Sequence, residues 1–222
     1  MREVSIGSFS ELHQAVGKFD TNYVIYRGLK CVDFKLIPKL GWLELRSANL
    51  TKEELTILRL FKQRAYPYVN DRNLDEWDWL ALAQHHGLPT RLMDWTRNPL
   101  VAAYFAVEEE HEGDSVIHVY KERHYIDTTK YPDPFKRERV GKFIPNHVTA
   151  RITAQAGVFT FHPDWKSEFR PTQLDRLILR DRNGFRRELK HILYKYGIHR
   201  ASLFPDLDGL ATHIKWLRTK SH

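Results

Sequence analysis

Apolar residues recur at intervals of three and four in six segments of the chain, a spacing that places them on one face of an α-helix. The predicted helices follow Ser8-Phe9-Ser10-Glu11, open at Thr51, run from Leu74 to His86 and from Leu100 to Glu109, extend from Asn183-Gly184 to Tyr196, and run from Asp206 to Leu217. Asn98 before Pro99 is typical of a helix start, and Gly87 and Gly197 are typical of helix ends.

Four short segments rich in β-branched and aromatic residues predict strands. They are Asn22 to Arg27, Ser115 to Tyr120, Gly157 to His162, and Leu174 to Leu179. Helices and strands interleave irregularly, which favours an α+β fold over a doubly wound parallel sheet. We expect one domain over residues 1–222. The Pro- and charge-rich stretch 125–146 should form a long, exposed and mobile insertion.

Composition narrows the setting of the protein. No run of 18 apolar residues predicts a membrane span, and the start of the chain has no apolar segment typical of a secretory signal. Cys31 is the only cysteine, which excludes a disulfide framework and a zinc site built from cysteines. These features favour a cytoplasmic protein with no membrane partner.

The formal net charge is +7, from 35 basic and 28 acidic residues. Much of the excess lies in basic clusters of the C-terminal half, around Arg137, around Arg186 and Arg187, and near the C-terminus. Such clusters suit a polyanion such as RNA, which is the predicted partner, or a phosphate-bearing cofactor. The alternative is a solvated surface whose charges are balanced by acidic neighbours.

The segment Gln84 to Thr96 (QHHGLPTRLMDWT) concentrates groups that carry chemistry. It combines two histidines, two threonines, an arginine, an aspartate and a tryptophan between two apolar helices, whereas an ordinary connection is short and built from interchangeable polar residues. Either it is a binding site or it is a structural connection with a buried tryptophan. A pair between Arg91 and Asp94 would belong to the second interpretation.

Several of these residue types suit a nucleotide. Thr90 and Thr96 could bind ribose and phosphate oxygens, with Trp95 as a planar surface. Arg27 ends an apolar strand beside Gly28, where the missing side chain would leave room for a phosphate or carboxylate. An exposed arginine at a strand end is the alternative. Gln155 precedes another strand and could contact a ribose hydroxyl or only backbone groups.

Other motifs are absent or weak. The chain has no P-loop, no G-x-G-x-x-G and no nucleophile elbow, so the usual nucleotide-cradling and serine-hydrolase solutions are excluded. His85 and His86 are adjacent, not four apart as in zincins, and they point about 100° apart on a regular helix. A metal site with Asp94 is conceivable, but we predict none.

The residues then resemble the FRG domain, a family with a Phe/Tyr-Arg-Gly motif near its start. Here that motif is Tyr26-Arg27-Gly28, and the central signature is similar to Leu82–Leu92 continuing to Thr96 and Pro99–Ala102. Ala154–Phe159 and Leu203–Leu210 resemble later blocks of the family. The last block resembles the start of a packing helix, and we expect it to be structural, with Asp206 or Asp208 as its cap.

A second resemblance is to the ADP-ribosyltransferase superfamily, which binds NAD⁺ in a cleft of a split sheet. It implies a split-sheet core with surrounding helices. Arg27 fits the superfamily's first-strand Arg or His, and Thr90–Thr96 followed by Pro99–Phe105 fits its Ser/Thr strand and helix. The later Gln/Glu-x-Glu corresponds to Gln155-Ala156-Gly157, so glycine stands where the usual glutamate would.

The resemblances imply an NAD⁺-dependent ADP-ribosyltransferase that modifies RNA, the toxin of a toxin–antitoxin or antiphage system restrained by an inhibitory protein. The expected catalytic residues are Arg27, His86 and Gln155; the expected cofactor contacts are Tyr26, Arg27, Gly28, Thr90, Arg91, Asp94, Trp95 and Thr96. The expected RNA contacts are Arg137, Arg186 and Arg187. The alternatives are a non-catalytic nucleotide or nucleic-acid binding module, and a metal-dependent nuclease built on His85, His86 and Asp94.

Overall fold

A mixed sheet of seven strands forms the centre of the computed structural model, which describes residues 2–19, 23–46, 49–69, 73–146 and 149–219. The strands are β1 (Glu3–Ile6), β2 (Val24–Leu29), β3 (Leu92–Thr96), β4 (Ser115–Lys121), β5 (Gly141–Phe143), β6 (Gly157–Phe161) and β7 (Leu174–Leu179). Their order across the sheet is β1-β7-β4-β2-β3-β6-β5. Only the pair of β1 with β7 is parallel within the described residues.

Eight α-helices accompany the sheet within the described residues. They are α1 (Phe9–Val16), α2 (Leu50–Ala65), α3 (Glu76–His85), α4 (Pro99–Val107), α5 (Ala150–Ala154), α6 (Phe185–Lys195), α7 (Arg200–Leu203) and α8 (Leu207–Arg218). The six predicted helices are present with small shifts at their ends, and the α+β class is confirmed. Asn98 caps α4 as predicted, since its side chain accepts from the Leu100 amide at 2.9 Å.

The helices cover the sheet in two groups. Residues of α1, α4 and α6 pack with Val24 and Tyr26 of β2 and with the facing residues of β4 and β7. Residues of α2 and α3 pack with Leu92, Phe143 and Phe161 at the other end of the sheet. On the opposite face the cover includes residues from loops, such as Leu36 and Phe169.

The two parts of the sheet are joined at one point. Along the contact between β2 and β3, Tyr26 and Thr96 are the single pair of registered residues in the described chain. By contrast, β2 is paired with β4 along its whole length, and β3 is paired with β6 from Leu92 to Thr96. The sheet therefore forks beyond this pair, between the segment that follows Tyr26 and the segment that precedes Thr96.

The stretch 125–146, predicted to be a long, exposed and mobile insertion, is partly buried. This stretch supplies β5, and the Trp77 indole donates to the Tyr131 carbonyl at 2.7 Å. Phe143 is buried with its ring 4.8 Å from that of Trp77, and Ile126 is buried beside them. Its scattered apolar residues carried no periodic signal because each contacts a different partner.

Candidate functional site

A cavity of about 620 Å³ opens at the fork of the sheet. Its walls come from β2, β3, the start of β6, the end of α3, the end of α4 and the loop that follows β2. The cationic residues along it are Arg27, Lys30, Lys35, Lys39 and Arg151, and the acidic ones are Asp94, Glu108 and Glu109. The cavity wall thus carries more cationic than anionic residues. It also brings together the motif Tyr26-Arg27-Gly28 and the segments Gln84–Thr96 and Gln155–Phe159.

Arg27 spans the fork. Its Nη1 donates to the backbone carbonyl of Asp94 at 2.6 Å and lies 3.9 Å from the carboxylate of the same residue. Its Nε is buried without a hydrogen-bond partner among the described residues. Burial lowers the pKa of Arg27, and Asp94 acts in the opposite direction. The guanidinium therefore brings a positive charge to the cavity wall, and one of its buried N–H groups has no partner among the described residues.

Gly28 has a different role from the one predicted. A Cβ atom at this position would lie 1.8 Å from the carbonyl oxygen of Ala102 and 2.7 Å from the amide nitrogen of Ala106. The glycine therefore lets α4 pack directly on β2, and the space beside its Cα is filled by this helix. It borders the cavity through its backbone, so the idea that its missing side chain makes room for a phosphate is corrected.

Asp94 is held from its other side by Gln84. Gln84 Nε2 donates to Asp94 Oδ2 at 2.8 Å, and the hydroxyl of Thr90 donates to Gln84 Oε1 at 2.8 Å. Thr90 also accepts from the amide of Leu92, and its side chain is buried away from the cavity wall. Thr90 therefore contacts Gln84, which lines the cavity, but Thr90 itself does not line the cavity. This differs from its predicted role as a cofactor contact.

Arg91 is not a cofactor contact. It is 4% exposed and makes a two-pronged pair with Glu54 of α2, in which Nε donates to Oε1 at 2.6 Å and Nη2 donates to Oε2. Its guanidinium also lies over the rings of Phe135 and Phe161. The predicted alternative, a pair with Asp94, is equally wrong, because Arg91 packs with α2.

His85 borders the cavity and His86 does not. The two rings are perpendicular with centroids 4.8 Å apart, and His86 is exposed at the end of α3. Burial, followed by the charges of His86 and Arg151, lowers the pKa of His85 to about 4. His85 is therefore neutral at pH 7. His86, which the sequence predicted as a catalytic residue, is therefore outside the cavity lining, and its neighbour His85 is part of it.

Tyr26, Trp95 and Thr96 form the inner wall. Tyr26 is 2% exposed with its hydroxyl unpartnered among the described residues, and burial raises its pKa. Trp95 is 4% exposed and its indole donates to Thr160 at 2.8 Å. Both rings are packed in the core, so neither offers a free face for stacking. Thr96 donates to the backbone carbonyl of Gln155 at 2.6 Å.

Comparison with known families agrees with the motif. The family model described as "FRG domain" matches residues 22–115. The chain contains an FRG domain. No curated protein and no solved structure matches the chain.

The FRG match covers part of the site. It contains Arg27, Gln84, His85 and Asp94, which together form the side of the cavity built from β2, α3 and β3. The rest of the lining, with Arg151 and the segment Gln155–Phe159, follows the matched residues. In this FRG protein the cavity is therefore completed by chain outside the matched segment.

Gln155 is fixed in the wall opposite Arg27. Its Nε2 donates to the carbonyl of Leu203 at 3.0 Å, so its Oε1 stays available as an acceptor. Gly157 follows at the start of β6, where an added Cβ would lie 3.2 Å from Ile152. The cavity therefore has the side-chain amide of Gln155 at its wall, and position 157 contributes no carboxylate.

The block Leu203–Leu210 connects to the cavity through its backbone. Asp206 caps α8 by accepting from the amide of Gly209 at 2.6 Å, whereas Asp208 is exposed in the first turn. An added Cβ at Gly209 would lie 2.0 Å from the Phe204 carbonyl. Of the two predicted caps, Asp206 is therefore the cap.

Sequence reasoning missed several residues at the cavity. Phe34 and Trp42 are large exposed aromatics on the loop after β2, with exposures of 45% and 58%. Glu108 lies at the end of α4, and Arg151 donates from Nη1 to the carbonyl of His85 at 3.4 Å. The mixture of lysines and aromatic residues between Lys30 and Trp42 could have indicated a binding loop. This loop shows neither the helical nor the strand periodicity on which the prediction relied.

The predicted RNA contacts fall into two kinds. Arg186 is buried, and its guanidinium donates to the backbone carbonyls of Ala106, Glu109, Lys30 and Gly113. It is a structural residue, and its prediction as an RNA contact is wrong because those bonds occupy both terminal nitrogens. Arg187 is exposed, and Arg137 is partly buried over the ring of Tyr131.

Metal sites and membrane-spanning helices are both absent from the described part of the chain. No group of three His, Cys, Asp or Glu residues there is arranged to hold a metal ion, and this includes His85, His86 and Asp94. None of the described helices has the length and apolar composition needed to cross a membrane.

Proposed function

We propose that this FRG protein is an NAD⁺-dependent ADP-ribosyltransferase that modifies a nucleic acid, with RNA as the favoured acceptor. NAD⁺ supplies the ADP-ribose group and the nicotinamide that leaves. We further propose that the protein acts as the toxin of a toxin–antitoxin or antiphage system and is restrained by an inhibitory protein partner. This last step rests on the family resemblance alone.

The position of Arg27 at the fork is the observation that carries the proposal. A cavity between two parts of a sheet, with an arginine on the strand that borders it, is the arrangement that the superfamily resemblance implies. The guanidinium supplies the positive charge that a diphosphate needs, and the carbonyl of Asp94 already fixes its Nη1. Its hold on Asp94 sets the orientation of the guanidinium before any ligand binds.

The size and charge of the cavity also suit a dinucleotide. A volume of about 620 Å³ lies within the range of about 300–1,000 Å³ that is common for small-molecule sites. Lys30, Lys35 and Lys39 would add to the attraction for phosphates. The exposed faces of Phe34 and Trp42 are the aromatic surfaces that a nicotinamide or adenine ring would meet.

Gln155 and His85 would contact the ribose. The free Oε1 of Gln155 can accept from a ribose hydroxyl, and Thr96 holds the backbone of Gln155 in place. His85, kept neutral by burial, can donate or accept a single hydrogen bond but brings no charge. The carboxylates that border the cavity are Asp94, Glu108 and Glu109. We propose that one of them takes the role of the glutamate that the superfamily pattern has at position 157.

A non-catalytic binding module is the second candidate. The observation that favours it is Gly157, since the superfamily pattern places a glutamate there and close packing against Ile152 leaves little room for one. The same cavity would then bind a nucleotide without cleaving it. Arg27 would keep its role in binding, so only turnover separates the two candidates.

Incubation with NAD⁺ labelled in the adenylate part tests the proposal. Transfer of label to RNA, with release of free nicotinamide and no change on addition of a chelator, supports the transferase. Saturable NAD⁺ binding without nicotinamide release supports the binding module. RNA cleavage that a chelator abolishes would instead support the nuclease, and label in protein or DNA would change the acceptor.

A further inference from the structure

We propose that a second cavity, between the end of α4 and the helices α6 and α8, binds a nucleobase of the acceptor. The inference rests on the proposed function, because it gives the transferase a place for its substrate. The second cavity has a volume of about 250 Å³. This is below the range of drug-sized sites and suits a single flat ring system.

The wall of this cavity is a stack of aromatic rings. His199 and His213 are parallel, with centroids 4.2 Å apart and an interplanar angle of 10°. Trp216 continues the stack at 5.8 Å from His213, and Tyr194 lies 5.5–5.7 Å from all three rings. Tyr194 is 38% exposed, so this group of rings has an accessible member on which a further flat ring can stack.

The polar groups of the cavity suit a neutral base linked to phosphate. His199 Nδ1 accepts from the amide of Ser202 at 3.3 Å, which places the proton on Nε2 and leaves a donor for a base acceptor atom. Burial lowers the pKa of His199, so the ring is neutral. Lys190 and Arg200 also border the cavity, where Glu108 and Glu109 balance their charge and Arg200 pairs with Glu108.

Glu108 connects the second cavity to the first. Glu108 and Glu109 border both cavities. The Glu108 carboxylate accepts from Arg200 and from the hydroxyl of Tyr104, and its backbone carbonyl accepts from Lys190 at 2.7 Å. A base in the second cavity and a ligand in the first would therefore lie on either side of Glu108 and Glu109.

This adjacency gives a balanced transfer step. The acceptor atom forms a bond to the ribose carbon as the bond from that carbon to the nicotinamide nitrogen breaks. Nicotinamide leaves with the electron pair, and the proton released by the acceptor passes to one of the two carboxylates. A protein acceptor would need no aromatic stack beside Glu108, so the rings favour a nucleic acid.

Binding of nucleoside monophosphates, followed by NMR of the Trp216 indole, tests the inference without NAD⁺. The Trp216 signal is assigned with Trp216→Phe. We expect AMP, GMP, CMP or UMP to shift it saturably, and ribose 5-phosphate to shift it far less. Equal shifts with ribose 5-phosphate would mean that only phosphate binds, and no saturable shift with any nucleotide would overturn the proposal.

Matched variants locate the ligand. Tyr194→Ala should weaken nucleotide binding about tenfold, the loss of about 1.4 kcal/mol. Tyr196→Ala removes an exposed ring of the same helix end that packs on Phe9 and should have no effect. In case Tyr194→Ala disturbs packing, Thr212→Phe fills the cavity from α8, with Ala211→Phe on the adjacent exposed position as its control. Unchanged binding in folded Tyr194→Ala and Thr212→Phe would reject the site.

The outcomes separate this inference from the proposed function. Nucleotide binding lost in Thr212→Phe, together with no nicotinamide release from the parent protein, would leave the second site standing and reject the transferase. Nicotinamide release with label in protein, unaffected by Thr212→Phe, would leave the transferase standing and reject a nucleobase site.

Discussion

Arg27 and Asp94 face each other across the fork of the sheet, joined by a hydrogen bond of 2.6 Å from the guanidinium of one to the backbone carbonyl of the other. Because the acceptor is a backbone atom, the bond depends on the path of β3 and not on the side chain at position 94. The arginine is therefore oriented by the fold, while the Asp94 carboxylate is held separately by the amide of Gln84.

The first prediction concerns Arg27. Arg27→Ala should weaken NAD⁺ binding by about ten- to a hundredfold, since a hydrogen bond to a charged group contributes about 1.5–3 kcal/mol. Arg27→Lys keeps the charge but loses the fixed fork of donors, so it should restore binding only in part. Titration calorimetry provides the affinities, and thermal melting verifies the fold. Arg123→Ala, an exposed arginine over Tyr23, is the control, and equal affinities for all variants would remove Arg27 from the site.

The second prediction separates two adjacent arginines. Arg186→Ala should lower the free energy of unfolding by about 3 kcal/mol or more, because several buried carbonyls lose their donors. Arg187→Ala should change it by no more than about 0.5 kcal/mol. If RNA binds here, Arg187→Ala should reduce the salt dependence of binding by about one unit in slope. Urea unfolding and RNA binding at several salt concentrations measure these effects; an unstable Arg187→Ala would contradict its exposed position.

The third prediction tests the close approach of α4 to β2. Gly28→Ala should destabilise the protein by about 3 kcal/mol, because its methyl group would overlap the backbone at Ala102. Gly7→Ala is the matched control, since its added Cβ would meet only the Glu11 side chain at 3.7 Å. Thermal and urea unfolding compare the two. Near-native stability of Gly28→Ala would show that α4 can move away from the strand.

The fourth prediction concerns acid. Burial, with the charge of Arg27, lowers the pKa of both His118 and His162 to about 3, and Arg176 acts further on His118. Their unfolded-state pKa is about 6.5, so the unfolded chain takes up protons first as the pH falls. Stability should therefore fall from about pH 6.5 towards pH 3, by about 1.4 kcal/mol per pH unit for each histidine.

His118→Gln tests this assignment. Its stability between pH 6.5 and pH 4 should fall less steeply than that of the parent protein, by about 1.4 kcal/mol per pH unit. His124→Gln replaces an exposed histidine and should follow the parent protein. Urea unfolding at a series of pH values gives the slopes. Identical slopes for all three proteins would mean that His118 is already protonated or solvated in the folded state.

The sequence predicted long regular elements well and short ones poorly. Leu174–Leu179 has the predicted bounds, and its four apolar residues are buried on both faces of the sheet although Asp175 and Arg176 interrupt them. β1 and β5 were missed because they are short and depend on their partners, β7 and β6, for their hydrogen bonds. A segment of three or four residues has too few positions to show a period.

The sequence predicted only some residues of the site, because the others depend on contacts that no local pattern shows. Arg27, Asp94 and Gln155 were recognised from motifs, and all three border the cavity. Arg91 was misjudged because only the packed structure shows that its partner is Glu54, 37 residues earlier. Phe34, Trp42 and Glu108 were missed since their role comes from the loop path and the end of α4, which no periodic pattern reveals.

The single junction at Tyr26 and Thr96 bears on which piece of the chain can fold alone. One part of the sheet consists of β1, β7, β4 and β2, and the other of β3, β6 and β5, so neither is a continuous stretch of chain. The segment 22–115, by which the family is recognised, contains β2 and β3 but lacks the strands that pair with the far edge of each. Expressed alone, it would expose two apolar strand edges and aggregate. The unit of family recognition is thus smaller than the unit of folding.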